Sequence, residues 1–169
     1  RVLFRSLTTA QIVAIAGNIS ALSTAQLASL TTEQVPALTT AQVDAFDTTD
    51  ILSLSATQVA SFGTAQLRVI GDAEFAAMKL TQVVALTSTQ IPALLTSSIA
   101  ALTTAQIASL TADQVDVLTS AQLRAIETVD IAVLKSAQIA ALSTSDISVL
   151  LNGQVEALTT GQIPTLSAA

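Results

Sequence analysis

The chain has 169 residues, of which 51% are apolar, but it contains only four Phe and no Tyr, Trp, His or Cys. Its net charge of −6 comes from six basic and twelve acidic residues, a field too sparse for binding nucleic acid or coating an anionic membrane. Without Cys there are no disulfides and no thiolate nucleophile, and without His there is no His-dependent catalytic triad.

One eight-residue phrase, typified by LTTAQIAS from Leu102 to Ser109, recurs about twenty times along the chain. We number this octad from its large apolar residue, which is position 0. Such a short period indicates an array of small units, each buried by its neighbours. We therefore interpret residues 1 to 169 as a single octapeptide-repeat array.

Positions 0 and 5 of the octad are large and apolar throughout, from Leu7 and Ile12 to Ile163 and Leu166. Positions 3 and 7 are mostly small, whereas position 6 varies freely. On a helix, position 5 and the next position 0 share one side, while positions 3 and 7 lie nearly opposite. The pattern predicts a core built from two bulky side chains per octad, packed against small faces.

Position 2 is mostly Thr, Ser, Asp or Asn, which are the residues that cap helix N-termini. Position 4 is usually Gln and sometimes acidic, which suits a side chain that folds back on backbone donors at the positive end of a helix. The pattern predicts a helix of about seven residues in each octad, capped at position 2. The predicted caps include Thr104, Ser120, Thr128, Ser136 and Thr160, and the predicted repeat glutamines include Gln106, Gln114, Gln122, Gln138 and Gln162.

These octads predict an all-α solenoid, or superhelix, of about twenty very short helices. The alternative is a β-solenoid, because Ile and Val dominate position 5 and Thr is abundant. The corners of a β-solenoid would use Gly, Asn and Asp, yet Gly and Asn are scarce. The abundance of Ala, Gln and Leu favours helix.

Several octads depart from the consensus. In chain order, the first is one residue short, from Ile15 to Ile19, and its Gly-Asn pair predicts a local kink. Pro36, Pro92 and Pro164 all occupy position 6, where proline removes an intrahelical bond, so each of these octads predicts a single distorted turn.

A second and longer period, of seven octads, is visible in residues that differ from the consensus, such as Arg68 and Arg124 or Lys79 and Lys135. One explanation is duplication of a seven-octad block. The other is that seven octads complete one superhelical turn.

Acidic pairs spaced three residues apart are the candidates for acid-base or metal chemistry. Their cap, first-turn or outward positions predict solvated side chains, which leaves a weak calcium site as the remaining possibility. Lys135 lies next to Ser136, but adjacency in sequence does not place a base within reach of a hydroxyl. With no glycine-rich phosphate loop either, we expect no enzymatic activity and no cofactor. The pairs are Asp47 with Asp50, Asp113 with Asp116, and Glu127 with Asp130.

The two ends of the array carry no polar capping unit, since the octad frame runs from Phe4 to Ala169. Exposed terminal faces of solenoids tend to associate. We therefore expect either a slice of a longer array or end-to-end stacking into a homo-oligomer or filament. Thr and Ser interrupt every apolar run, so no membrane span is predicted, and any export signal would lie elsewhere on a longer chain.

The LTTAQIxAL phrase, as in Leu102 to Leu110, resembles the octapeptide arrays of very large secreted or surface proteins of proteobacteria. The resemblance covers the whole chain and implies an extracellular structural or adhesive role, without assigning any functional residue. The first hypothesis is a structural repeat protein that forms a filament, stalk or surface-adhesin rod. The alternatives are a module that binds a protein or glycan on its repeat surface, and an ice-binding face of threonine rows.

Overall fold

The computed structural model describes residues 4–15 and 22–166. These residues form seventeen α-helices of four to six residues and three 3₁₀ turns, with no strand among them. The all-α prediction is confirmed, and the β-solenoid alternative is wrong for this part of the chain. The helices are α1 Thr9–Ala14, α2 Thr24–Leu27, α3 Thr40–Asp44, α4 Thr48–Ser53, α5 Ala56–Ala60, α6 Thr64–Leu67, α7 Asp72–Ala77, α8 Leu80–Val84, α9 Thr96–Ala100, α10 Thr104–Ser109, α11 Ala112–Asp116, α12 Ser120–Ala125, α13 Thr128–Ile131, α14 Ser136–Ala140, α15 Thr144–Val149, α16 Asn152–Glu156 and α17 Ile163–Leu166, and the 3₁₀ turns are Phe4–Ser6, Val35–Ala37 and Ile91–Ala93.

Extended residues at positions 0 and 1 separate the helices. Leu54 has φ −70° and ψ 145°, and Ser55 has φ −76° and ψ 161°. No described residue has a positive φ. Because such a corner requires no left-handed residue, the array needs few glycines. Four residues of the predicted kink from Ile15 to Ile19, residues 16–19, lie outside the described residues.

The chain divides into two compact units, Arg1–Leu86 and Thr87–Ala169. Within each unit, a helix packs against the helix three octads further along the chain, as α5 does against α8 in the first unit and α11 against α14 in the second. Three octads therefore complete one turn of each unit. The hypothesis of seven octads per turn is wrong, because seven octads span more than two such turns. The prediction of one body over residues 1 to 169 stays a prediction.

Positions 0 and 5 form the core of each unit, as predicted. Ile51, Val59 and Phe75 are completely buried in the first unit, and Ile139 is completely buried in the second. Helices of four to six residues do not persist alone in water, so stacking between turns must stabilise them. No helix among the described residues has the length and apolarity that crossing a membrane requires.

Proline shortens its octads as predicted. Residues 32–34 and 88–90 form turns that lead into the 3₁₀ turns at Val35–Ala37 and Ile91–Ala93. Pro164 lies in α17, which begins only one residue before it, after a turn at 160–162. In all three octads the missing amide N–H of proline prevents the usual helix from forming between positions 2 and 6.

Candidate functional site

A reciprocal pair of hydrogen bonds opens most of the described helices. In α10, the backbone N–H of Gln106 donates to Thr103 Oγ1 at 3.3 Å, and the backbone N–H of Thr103 donates to Gln106 Oε1 at 2.7 Å. This is a capping box, in which two backbone donors at a helix start are satisfied by side chains. The cap is therefore position 1 of the octad, and position 2 is the first helical residue.

The predicted caps are accordingly wrong by one residue. The cap side chain accepts from the third helical residue, and because position 4 is that residue, only position 1 has the required spacing. Thr160 begins a turn, and the carbonyl of Thr159 accepts from the backbone N–H of Gln162 at 2.9 Å. The other four predicted caps occupy the first helical position of their helices: Thr104 in α10, Ser120 in α12, Thr128 in α13 and Ser136 in α14.

The predicted back-folding of the glutamine side chain is confirmed. It occurs even where position 1 carries no hydroxyl, since the backbone N–H of Gly63 donates to Gln66 Oε1 at 2.7 Å and that of Lys135 to Gln138 Oε1 at 2.6 Å. The glutamine half of the box is therefore more general than the hydroxyl half. The predicted repeat glutamines all make this contact and all are buried: Gln106, Gln114, Gln122, Gln138 and Gln162.

The amide nitrogen of the same glutamine reaches back to the preceding turn. Gln58 Nε2 donates to the carbonyl oxygens of Leu27 at 2.9 Å and Leu30 at 2.8 Å, which lie 31 and 28 residues earlier. Leu27 is the last residue of α2 and Leu30 lies in the corner after it, and the carbonyl of Leu27 also accepts from the backbone N–H of Leu30 at 3.1 Å. We call this series of contacts the glutamine ladder. It recurs with the same two separations at Gln66, Gln82, Gln122, Gln138, Gln154 and Gln162.

Sequence reasoning missed the ladder, although one signal pointed to it. A glutamate would accept from the cap backbone as well as glutamine does, but only the amide also carries donors. The strong preference for Gln over Glu at position 4 therefore indicates a second, donating contact. Its distance along the chain cannot be read from a single octad.

A family model described as the ALTTAQ repeat matches residues 16–48 and 123–160. Over these two stretches the chain is similar to the ALTTAQ repeat. The match supports the resemblance based on the LTTAQ phrase, and a search of curated proteins gave no match.

The geometry explains the ALTTAQ phrase from Ala37 to Gln42. Leu38 is buried in the core at the corner, and Thr39 caps α3. Gln42 Oε1 accepts from the backbone N–H of Thr39 at 2.7 Å, while Gln42 Nε2 donates to the carbonyl of Ile12 at 3.0 Å. The phrase thus contains a core residue, a cap and a ladder glutamine.

Some ALTTAQ octads carry an acid in place of the ladder glutamine. Asp50 forms a capping box with Asp47, and Asp146 Oδ2 accepts from the backbone N–H of Ser143 at 2.9 Å. Burial raises the pKa of Asp50, and the charge of Asp47 raises it further. The hydrogen bond from the Asp47 backbone lowers this pKa, but by less than burial raises it. Asp130 differs from these two, because it is only 4% exposed and its Oδ1 has no hydrogen-bond partner, so the prediction of a solvated side chain is wrong for this residue.

The other candidate residues do not converge on a reactive centre. Asp113 and Asp116 are both exposed on α11. Lys135 is the cap residue of α14, and Ser136 is the first residue of that helix. Across residues 4–15 and 22–166, no group of three or more acidic, His or Cys side chains is placed to hold a metal ion.

Several basic side chains bind helix-end carbonyls. Lys79 Nζ donates to the carbonyl of Leu52 at 2.7 Å in the first unit, and Arg124 Nε donates to that of Val149 at 2.8 Å in the second. Cations are favourable at helix C-termini, where the carbonyls carry partial negative charge. These bases therefore supplement the glutamine ladder.

The last described turn of the second unit exposes the apolar side chains that earlier turns bury. At position 5, Ile107 and Ile139 are at most 1% exposed, whereas Val155 is 46% and Ile163 is 55% exposed, and Ile147 is half-buried. We call Ile147, Val155 and Ile163 the end face. These residues are of the same apolar type as the interior residues at position 5.

Proposed function

We propose that this ALTTAQ-repeat array is a structural protein, an extracellular filament, stalk or surface-adhesin rod that elongates by stacking of its repeats. The regular stacking of the turns is the observation that supports this role, because interior turns bury the side chains at positions 0 and 5 and donate hydrogen bonds to carbonyls of the preceding turn. The proposal gives the chain no catalytic role, no cofactor and no nucleic-acid partner.

The glutamine ladder gives this stacking a direction. Each turn offers helix-end carbonyls to the glutamines of the turn that follows it in the chain, as Leu27 and Leu30 do for Gln58. In the first unit, Gln11 is exposed, and no carbonyl among the described residues accepts from its Nε2. A face rich in donors and a face rich in acceptors and apolar groups form a head-to-tail interface, which propagates as a filament when it does not close into a ring.

The turn that covers the end face can come from further octads of the same polypeptide or from a second copy of this chain. Both supply the same chemistry, namely position 0 and 5 side chains and a glutamine amide. An unpaired face of this kind is a site of association, because exposed apolar patches on repeat arrays lead to assembly.

The extracellular location is part of the proposal. Absence of Cys, scarcity of Lys and abundance of Thr and Ser are consistent with a long exported rod. The resemblance to arrays of secreted and surface proteins supports the same location.

Light scattering over a concentration series, with electron microscopy of the most concentrated samples, tests the assembly. We expect the mass of the wild-type chain to grow with concentration and fibres to form. The double variant Val155→Glu with Ile163→Glu, which places charge on the end face, should remain monomeric. Val129→Glu is the matched control, because Val129 is 62% exposed at position 3, outside the end face, and the variant should assemble like the wild type. A wild-type chain that is monomeric at every concentration contradicts the proposal.

Ligand binding is the second candidate, favoured by an open groove of about 520 Å³ in the second unit. Val129 and Leu151, which are 62% and 50% exposed, line it beside Gly153. The end-face double variant does not alter this groove. Binding of a protein or glycan that survives in that variant would therefore assign the two roles to separate surfaces.

A further inference from the structure

The glutamine ladder is interrupted at α13 by a buried acid. Asp130 occupies position 4, where neighbouring octads carry Gln122 and Gln138, and it is 4% exposed. Its Oδ1 is a buried side-chain oxygen with no hydrogen-bond partner, and it is alone in this respect among the described residues. Leaving such an oxygen unpaired costs free energy, so the position calls for a polar or charged ligand that apolar packing cannot replace.

The register of the ladder identifies the groups that face Asp130. Gln138 Nε2 donates to the carbonyls of Ile107 at 3.1 Å and Leu110 at 2.9 Å, again 31 and 28 residues earlier. The same separations from Asp130 lead to the carbonyls of Ile99 and Leu102, at the end of α9. Asp is one methylene shorter than Gln and, when ionised, has no donor.

The resulting set consists of oxygen acceptors alone. By the register of the ladder, the carboxylate of Asp130 and the carbonyls of Ile99 and Leu102 share the position that a glutamine amide nitrogen occupies in the adjacent octads, and none of the three is a donor. The carbonyl of Ile99 also accepts from the backbone N–H of Leu102 at 3.2 Å. A cation interacts favourably with all three and also offsets the buried negative charge.

We propose that Asp130, with the carbonyl oxygens of Ile99 and Leu102, binds a hard cation of the Ca²⁺ class. Ca²⁺ takes six to eight oxygen ligands at about 2.3–2.6 Å, and carboxylates, backbone carbonyls and waters all serve. Glu127, the cap residue of the same helix, adds a second acid at this helix start. The cation thus replaces the glutamine amide as the positive link between two turns.

The other acids at position 4 do not share this feature. Oδ2 of Asp146 accepts hydrogen bonds from both the backbone and the hydroxyl of Ser143. Asp50 Oδ2 accepts from the backbone N–H of Asp47 at 3.3 Å. Glu74, the third of these acids, also has no buried unpaired side-chain oxygen. The site is therefore specific to Asp130 rather than general to acidic octads.

Calcium titration of the full chain tests the site at a dilution where the chain is monomeric, so that its outcome is independent of the assembly proposed above. Isothermal titration calorimetry should show one Ca²⁺ per chain with a dissociation constant on the order of 10⁻⁴–10⁻³ M, the range of extracellular calcium modules. At ten times that concentration the midpoint of thermal unfolding should rise by roughly 3–6 °C. NaCl at matched ionic strength should not reproduce this rise.

Two variants make the test specific. Asp130→Gln restores the ladder donor, so it should unfold at a higher temperature than the wild type without calcium and show no further rise with calcium. Asp113→Asn removes the same charge from an exposed position and should keep the calcium response of the wild type. An equal calcium shift in Asp130→Gln overturns the proposal, as does a wild-type chain that binds no calcium.

Discussion

Gln11 in the first described turn and Gln58 in the interior of the same unit hold the same octad position but make different contacts. Each accepts from the backbone N–H of its cap residue, Thr8 at 2.8 Å and Ser55 at 2.7 Å. Gln58 is also 3% exposed and donates to two carbonyls of the preceding turn, whereas Gln11 is exposed. A repeat position therefore has no fixed energetic value, because its contribution depends on whether another turn packs beneath it.

The largest expected effect comes from removing the interior glutamine. Gln58→Ala leaves the carbonyl of Leu30 and the backbone N–H of Ser55 without partners, and an unsatisfied buried group costs about 1–3 kcal/mol. The carbonyl of Leu27 still accepts from the backbone N–H of Leu30 at 3.1 Å. We expect the free energy of unfolding in urea to fall by roughly 2–6 kcal/mol. Gln11→Ala, with exposed groups, should cost only about 0.5–1.5 kcal/mol. Equal losses in the two variants would show that the ladder contacts contribute nothing beyond the cap.

Gln58→Glu separates the two halves of the glutamine contact. The carboxylate still accepts from the backbone N–H of Ser55, but it has no donor for the two carbonyls. Its unfolding free energy should therefore fall nearly as far as that of Gln58→Ala. A fully stable Gln58→Glu would contradict the assignment of the ladder to the amide N–H.

A smaller effect should distinguish the hydroxyl half of the capping box. Thr103 Oγ1 accepts from the backbone N–H of Gln106, whereas Lys135 makes no side-chain cap bond in the equivalent position of α14. Thr103→Ala should lower the unfolding free energy by about 1 kcal/mol, the usual value of an N-cap. Lys135→Ala should change it by less than about 0.5 kcal/mol, as for an ordinary surface substitution. The same urea titrations measure both.

The smallest effect concerns pH. Burial first, and then the neighbouring charge of Asp47, raises the pKa of Asp50 above its unfolded value, so the ionised form destabilises the fold. As pH falls from 7 toward about 4, protonation of Asp50 should relieve this cost. The wild-type chain should therefore gain unfolding free energy relative to Asp50→Asn over this range. Asp44→Asn, which removes an exposed acid from the same unit, is the control. If the wild-type chain gains as much unfolding free energy relative to Asp44→Asn as it does relative to Asp50→Asn, the role of Asp50 is refuted.

Much of the local structure could be predicted from the sequence because it depends on interactions within one octad. The buried positions 0 and 5, the back-folded Gln106 and the distorted turns at Pro36 and Pro92 all follow from spacings of a few residues. The cap was misplaced by one residue because Thr103 and Thr104 are the same residue type. Only the three-residue spacing to Gln106 distinguishes them.

Periodicity and capping are local, so the octads alone specify an array of short helices with an aliphatic core. The packed array decides that three octads complete one turn. It thereby also decides which carbonyls each glutamine side chain reaches. The number reflects the large change of direction at each corner, such as Leu54 and Ser55, and whether three such corners close one turn is decided only when the turns pack on each other. The same packing determines why Gln58 is buried and Gln11 is not, and why the carboxyl group of Asp130 is buried.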